Sequence, residues 1–315
     1  MSTTLGTAVI AVGGNSLIAD KDHISVQDQA LAAEESMKHV AELVSAGWRV
    51  VVTHGNGPQV GFLLRRAELA TGELPALPLD VLGADTQGAT GYLFARALNH
   101  EFASRGISQE AVAIVTQTVV DGQDPAFQAP SKPIGSFMTQ ELAAARAEAE
   151  GWIVVEDSGR GWRRVVPSPK PERIVELDAI RTLSQAGYAV IAGGGGGIPV
   201  VADGLALRGV EAVIDKDYAT ALLANQLGAE VLLISTAVDA VAIHFNTPEQ
   251  RWLSQVSVAE MESYLAADQF GAGSMAPKVE AAIEFIKRGG QRVIITSPPL
   301  MAAAVAGQAG TTIVP

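Results

Sequence analysis

The sequence predicts an α/β fold: a mostly parallel sheet covered on both faces by helices, with a small inserted subdomain. Two observations predict it. Short apolar runs of strand length alternate with helix-period segments from Thr7 to Val314, the pattern of βα units whose strands are buried on both sides. Three of those runs end in glycine-rich loops, at Gly13-Gly14-Asn15-Ser16, at Gly55-Asn56-Gly57 and at Gly193–Gly197. In open α/β sheets ligands bind beyond the carboxyl ends of strands, so all three loops should face one crevice.

Taken in order, Thr7–Val12 reads as a buried strand and Gln27–Ala46 as a helix with Ala30, Met37, Val40, Ala41 and Val44 on one side, ended by Gly47. Arg49–Val52 is a strand, Val60–Ala70 and Gly83–Ser104 are helices, and Ala111–Gln117 is a further strand. From Asp121 to Pro169 the character changes: a Pro/Gly-rich stretch, an Ala/Glu helix over Met138–Gly151, and a hairpin over Trp152–Val166 turning at Ser158-Gly159. This is the inserted subdomain. The helix Leu177–Ala186 leads back to the core and to the strand Ala189–Ala192, whose five following glycines let a backbone approach a ligand closely. Ile198–Val201 is a short strand with a turn at Asp203-Gly204, and a helix starts at Asp215-Lys216-Asp217. Strands at Val231–Ser235, Val241–Phe245, Arg292–Thr296 and Thr311–Val314 complete the pattern, with helices at Val258–Ala266, Pro277–Lys287 and Leu300–Ala306.

Composition narrows the function. The chain has 315 residues, 48% of them apolar and 18% charged, enough for one large domain or two lobes with real cores. There is no Cys, which excludes disulfides, thiolate metal sites and a cysteine nucleophile and fits a reducing compartment. No signal peptide or membrane span is expected. A net charge of −12 and a pI near 4.9 argue against nucleic acid and anionic membranes as partners.

Three lysines stand out. Lys216 opens a helix, with Asp215 as N-cap and Asp217 in the first turn. A cation there opposes the helix dipole, so it is either solvated and balanced by its two aspartates or placed for an anion. Lys278 follows Pro277, which suits the first position of a helix, and its alternatives are a surface pair with Glu280 or an anion site. Lys132, between Pro130 and Pro133, reads alone as a loop charge. Together with three glycine-rich strand ends, these lysines suggest a site for phosphate-bearing substrates. His54 reads as a loop hydrogen-bonding residue, and Trp48, Trp152, Trp162 and Trp252 as packing residues.

The chain resembles the amino acid kinase superfamily and, within it, the carbamate kinases. The segments AVIAVGGNSL, VVTHGNGPQVG, PLDVLGADTQGATGY, SKPIGSF, EDSGRGWRRVVPSPKP, IAGGGGGIPV, AVIDKDYATALLA and GSMAPKVEAA carry the resemblance from end to end. It implies a three-layer αβα sandwich in which residues 1–187 hold the acid substrate, an insert near 121–169 closes as a lid, and residues 188–315 hold the nucleotide. It implies phosphoryl transfer between ATP and carbamate, with ADP and carbamoyl phosphate as the other pair, Mg²⁺ carried by the nucleotide, and a cytoplasmic homodimer. By the same resemblance Lys132, Lys216, Asp217 and Lys278 are catalytic. Gly13, Gly14, Asn15, Gly55, Asn56, Gly57, Gly195 and Gly196 hold the substrate and the phosphoryl group, and Ala237, Val238, Met275, Lys216 and Lys278 hold the nucleotide. The sequence departs from the family pattern at Ala237, where the family usually has Asp, and after Val241, where it usually has an aromatic residue. Ser136 and Met138 in the insert, and Ala276, also differ. Two other readings stay open: a kinase of another small acid on the same fold, and a catalytically weak nucleotide-binding regulator.

Overall fold

A computed structural model describes residues 4–13, 17, 18, 20, 22–157, 159–271 and 273–315. Strand β1 (Gly6–Val12) is buried along its length. Its side chains divide between two cores, Val9 and Ala11 in one and Ala8, Ile10 and Val12 in the other. This period-two division is why the strand reads as an unbroken apolar run. Helix α1 (Val26–Ser45) starts at Ser25, which forms a reciprocal capping box with Asp28. Then come β2 (Trp48–His54), α2 (Gly57–Leu69) and α3 (Leu79–Arg105).

The strand predicted over residues 111–117 is two strands, β3 (Ala111–Ala113) and β4 (Gln117–Val120), in different sheets. The Thr116 N–H donates to Gln87 Oε1 at 2.7 Å, so the chain leaves the main sheet there. The inserted unit follows: β5 (Lys132–Met138), α4 (Gln140–Glu150), β6 (Ile153–Glu156) and β7 (Trp162–Val166). Its sheet has the order β5-β7-β6 with both pairs antiparallel. The predicted hairpin is present, and Ser158 in its turn lies outside the described residues. Ile134 and Val166 anchor the unit in a small apolar cluster with Val60 and Leu64 of α2 and Leu79 and Leu82 of α3.

The second half runs β8 (Pro171–Ile174), α5 (Leu177–Gln185), β9 (Ala189–Ile191), β10 (Ile198–Asp203), β11 (Ala206–Gly209) and α6 (Lys216–Leu227). It continues through β12 (Val231–Ser235), β13 (Val241–Ile243), β14 (Arg251–Leu253), β15 (Gln255–Ser257), α7 (Val258–Ala266) and α8 (Ala276–Lys287). It ends with β16 (Val293–Thr296), α9 (Met301–Val305) and β17 (Thr311–Val314). The central sheet has eight strands in the order β15-β17-β16-β12-β1-β2-β9-β3, parallel except for the β16–β17 pair. One core packs α5, α6, α7 and α8 on its first face, and the other packs α1, α3 and α9 on its second. These are the three layers the alternation of elements predicts. No described helix is long and apolar enough to cross a membrane.

The glycine run between β9 and β10 is shaped by contacts within the chain. A Cβ on Gly195 would fall 2.2 Å from Asn56 Nδ2, and one on Gly197, at φ +89°, would fall 2.0 Å from Thr118 Oγ1. Gly204, at φ +59° in the β10–β11 turn, faces open space. Gly197→Ala should therefore cost about 3 kcal/mol or more, because overpacking adds to backbone strain. Gly204→Ala should cost about 1 kcal/mol from strain alone. Urea denaturation measures both, and equal losses would contradict a packing role for the run.

Candidate active site

Helices α6 and α8 bring the site's charges together. Asp215 caps α6, accepting the Asp217 N–H on Oδ1 at 2.9 Å. Lys216 opens the helix and its ammonium donates to Asp217 Oδ1. Lys278, from the first turn of α8, donates to Asp217 Oδ2 at 2.9 Å. Lys132, the first residue of β5, donates to Asp215 Oδ2 at 2.8 Å. The three lysines singled out by context thus converge on two carboxylates, and Asp217 is only 3% exposed. Glu280, the local partner considered for Lys278, instead accepts the Tyr218 hydroxyl, a second tie between α6 and α8. Pro277 stands at the second position of α8, after Ala276.

Burial alone would raise the Asp217 carboxyl. The charges and hydrogen bonds of Lys216 and Lys278 outweigh it and hold the group down at about 2. Burial lowers the Lys216 ammonium, with the like charge of Lys278 acting in the same direction and the attraction of Asp217 against it. Burial lowers His54 to about 4, against its bond to Gly55 and with help from the Lys216 charge, so the ring is neutral at pH 7. Its Nδ1 donates to the Gly55 carbonyl at 3.0 Å, and its ring meets that of Phe94 in a T-shaped contact at 5.4 Å between centroids. His54 is thus a hydrogen-bonding residue as expected, but it stands buried at the end of β2 and not in a loop.

The glycine loops surround this cluster unevenly. Gly14 and Asn15 lie outside the described residues. The Gly55 N–H donates to Val12 O and the Gly196 N–H to Gly193 O, each at 3.0 Å, so these two amides are engaged within the chain. Asn56 precedes α2 but donates its Nδ2 to Thr86 Oγ1 at 2.7 Å, and no side chain caps the helix start at Gly57. Thr53 and Thr220 share a hydrogen bond of 2.6 Å that holds the end of β2 against the first turns of α6.

A cleft of about 950 Å³ opens beside the cluster. Gly13, Lys216, Lys278, Ala237, Val238 and Met275 line it, so every described residue assigned to the nucleotide by resemblance borders one space. Phe245, Trp252 and Phe270 also line it, and sequence reading missed them. Trp252 is 51% exposed, meets Phe245 in a T-shaped contact at 6.4 Å, and pairs across the β13–β14 hairpin with Ala242. It is a cleft wall and not the packing residue expected. Its signal was the hairpin alternation: Val241, Ile243 and Leu253 enter the core, leaving Ala242 and Trp252 on the other face. Trp152, in contrast, is covered by the guanidinium groups of Arg146 and Arg164 at 5.3 and 5.0 Å. Among the described residues no three His, Asp or Glu side chains form a cluster able to hold a metal ion.

The sequence and the fold are similar to those of known proteins. Residues 6–297 match the amino acid kinase family. The chain belongs to that family. It is 46% identical over 309 residues to the carbamate kinase of Pyrococcus horikoshii, covering 98% of each chain. It is 48% identical over 313 residues to the carbamate kinase-like protein YahI of Escherichia coli K12, covering 97% of this chain and 98% of that one. The carbamate kinase of Giardia lamblia bound to AMP-PNP superimposes with a TM-score of 0.94 at 41% identity, covering 100% of this chain and 99% of the other.

A lysine that opposes a helix dipole and has no other partner would leave stability level or raise it on removal. The buried pairing reverses that sign. Lys278→Met leaves Asp217 with one ammonium and should cost about 1–3 kcal/mol at pH 7. Chemical denaturation checks this, and a variant as stable as the parent would mean that repulsion between the two lysines cancels their shared attraction to Asp217.

Proposed function

We propose that this chain is a carbamate kinase, catalysing ADP + carbamoyl phosphate ⇌ ATP + carbamate. The observation that carries the reading is the Lys216–Asp217–Lys278 cluster on the wall of a nucleotide-sized cleft. The end-to-end similarity to carbamate kinases, one of them bound to an ATP analogue, supports it.

Phosphoryl transfer asks little covalent chemistry of a protein. It needs in-line alignment and positive groups on the charged oxygens. Three ammonium groups against two carboxylates leave a positive balance at the α6 and α8 starts, where the helix dipoles are also positive. In this reading Lys216 and Lys278 stabilise charge on the transferring phosphoryl group, and Asp217 orients both. Lys132 meets the acid substrate, and Gly13, Asn56 and Gly57 face the phosphoryl group, to which the resemblance also assigns Gly14 and Asn15. Gly55, Gly195 and Gly196 shape these loops. Carbamate is already an anionic nucleophile, so no general base is required, in keeping with a neutral, hydrogen-bonded His54.

Phe245, Trp252, Phe270 and Met275 form the apolar wall for a base, with Ala237 and Val238 beside it. Magnesium would travel with the nucleotide phosphates, since Asp215 and Asp217 both face lysines. It would supply charge neutralisation on the phosphate oxygens. The halves 1–187 and 188–315 would hold acid and nucleotide, with the β5–β7 unit as a lid. The setting inferred is a cytoplasmic homodimer making ATP at the end of arginine, agmatine or ureide breakdown.

A luciferase-coupled assay of ATP made from ADP and carbamoyl phosphate tests the reading. Turnover is expected, and Lys216→Ala should lower kcat by at least ~10²-fold, the scale of one lost preorganised electrostatic contact. Turnover with acetyl phosphate but not carbamoyl phosphate would mean a kinase of another acid. Nucleotide binding without turnover would mean a regulator.

A further inference from the structure

We propose that Asp215 is a positioning residue for the acid-substrate side of the site: it aims the Lys132 ammonium at the start of α6. The inference rests on the phosphoryl-transfer reading above and extends it to a residue that the sequence marked only as a helix cap.

Asp215 uses its two oxygens for different tasks. Oδ1 accepts the Asp217 N–H at 2.9 Å, and Oδ2 accepts Lys132 Nζ at 2.8 Å. One carboxylate therefore joins the first strand of the inserted unit to the helix that carries Lys216 and Asp217. The Lys132 side chain is 42% exposed and Asp215 15% exposed, so the lysine has solvent beside it and would sample many rotamers without a partner. Its backbone is fixed by pairing with Val166, and Ile134 two residues on is buried against α2. The remaining freedom is in the side chain, and Asp215 is what removes it.

The placement is part of a ladder. Along the segment leading into α6, three alternate residues meet the inserted unit and its exit. Glu211 Oε2 accepts Arg164 at 2.9 Å, the Val213 N–H donates to Pro167 O at 3.0 Å, and Asp215 takes Lys132. The segment thus holds the unit at three successive points, and only the last of them ends beside the catalytic helix. A bare N-cap could be Ser, Thr or Asn equally well. A cap that must also hold an ammonium needs the carboxylate.

The discriminating variant is Asp215→Asn, which keeps a cap acceptor and removes the charge. We expect its melting temperature to hold while KM for carbamoyl phosphate rises by roughly tenfold, the scale of one charge-assisted contact, with KM for ADP unchanged. On a Lys132→Met background the same substitution should have no further effect on KM, because Asp215 acts through Lys132. An unchanged KM in Asp215→Asn, or an equal loss on both backgrounds, would overturn the proposal and leave Asp215 as a cap alone. A second measurement does not depend on turnover. The ¹⁵N signal of the Lys132 ammonium, assigned with Lys132→Met, should be resolved in the parent and lost or broadened in Asp215→Asn. A chain inactive on carbamoyl phosphate would sink the functional reading, while this signal would still decide whether Asp215 holds Lys132. A signal identical in the two proteins would refute it.

Discussion

A carboxylate taken out of water needs partners on both of its oxygens, and Asp217 finds them in the ammonium groups of Lys216 and Lys278. Each ion of this trio would be costly to bury alone. Together they offset one another's desolvation, and the carboxylate sits well below its ordinary range. The trio also settles a conflict in the backbone. A lysine in the first turn of a helix opposes the dipole, and here two helices each carry one. A single anion between them offsets both, so the starts of α6 and α8 must lie side by side.

The packing makes that juxtaposition possible. Ala221, Leu222, Leu223 and Ala224 of α6 and Val279, Ala282, Ile283 and Ile286 of α8 contribute to one core on one face of the central sheet. Small residues on α6, among them Ala221 and Ala224, are fully buried, which lets the helix approach its neighbours closely. Both helices begin beyond the carboxyl ends of parallel strands, where Gly13 follows β1 and Thr236–Val238 follow β12. The chemistry therefore gathers where parallel strands end.

Much of this was legible in the residues. Runs such as Val231–Ser235 are buried on both faces, and burial on both faces leaves no polar residues to blur the strand. The short strands β11, β14 and β15 were not legible, because Ala206–Gly209, Arg251–Leu253 and Gln255–Ser257 are too short and polar to show a period. Lys216 and Lys278 were conspicuous because each breaks a local rule of helix electrostatics. Their shared partner was not, since Lys278 and Asp217 stand 61 positions apart and Lys132 and Asp215 stand 83 apart. A sequence proposes the neighbour within one turn, Glu280 for Lys278, whereas the fold supplies one from another element. The same limit hid Trp252, whose role depends on facing Ala242 across a hairpin.

That hairpin separates two requirements that usually conflict. Val241, Ile243 and Leu253 secure it to the interior, while Ala242 and Trp252 stand opposite each other on the cleft side. A small residue faces a large one, and the pair can exchange volume across the strands with no change in what anchors either strand. Ala242 and Trp252 are thus two points of the cleft wall that lie outside the packing of Val241, Ile243 and Leu253. Substitutions at these two positions would reshape the cleft wall while the buried charges at the helix starts stay as they are.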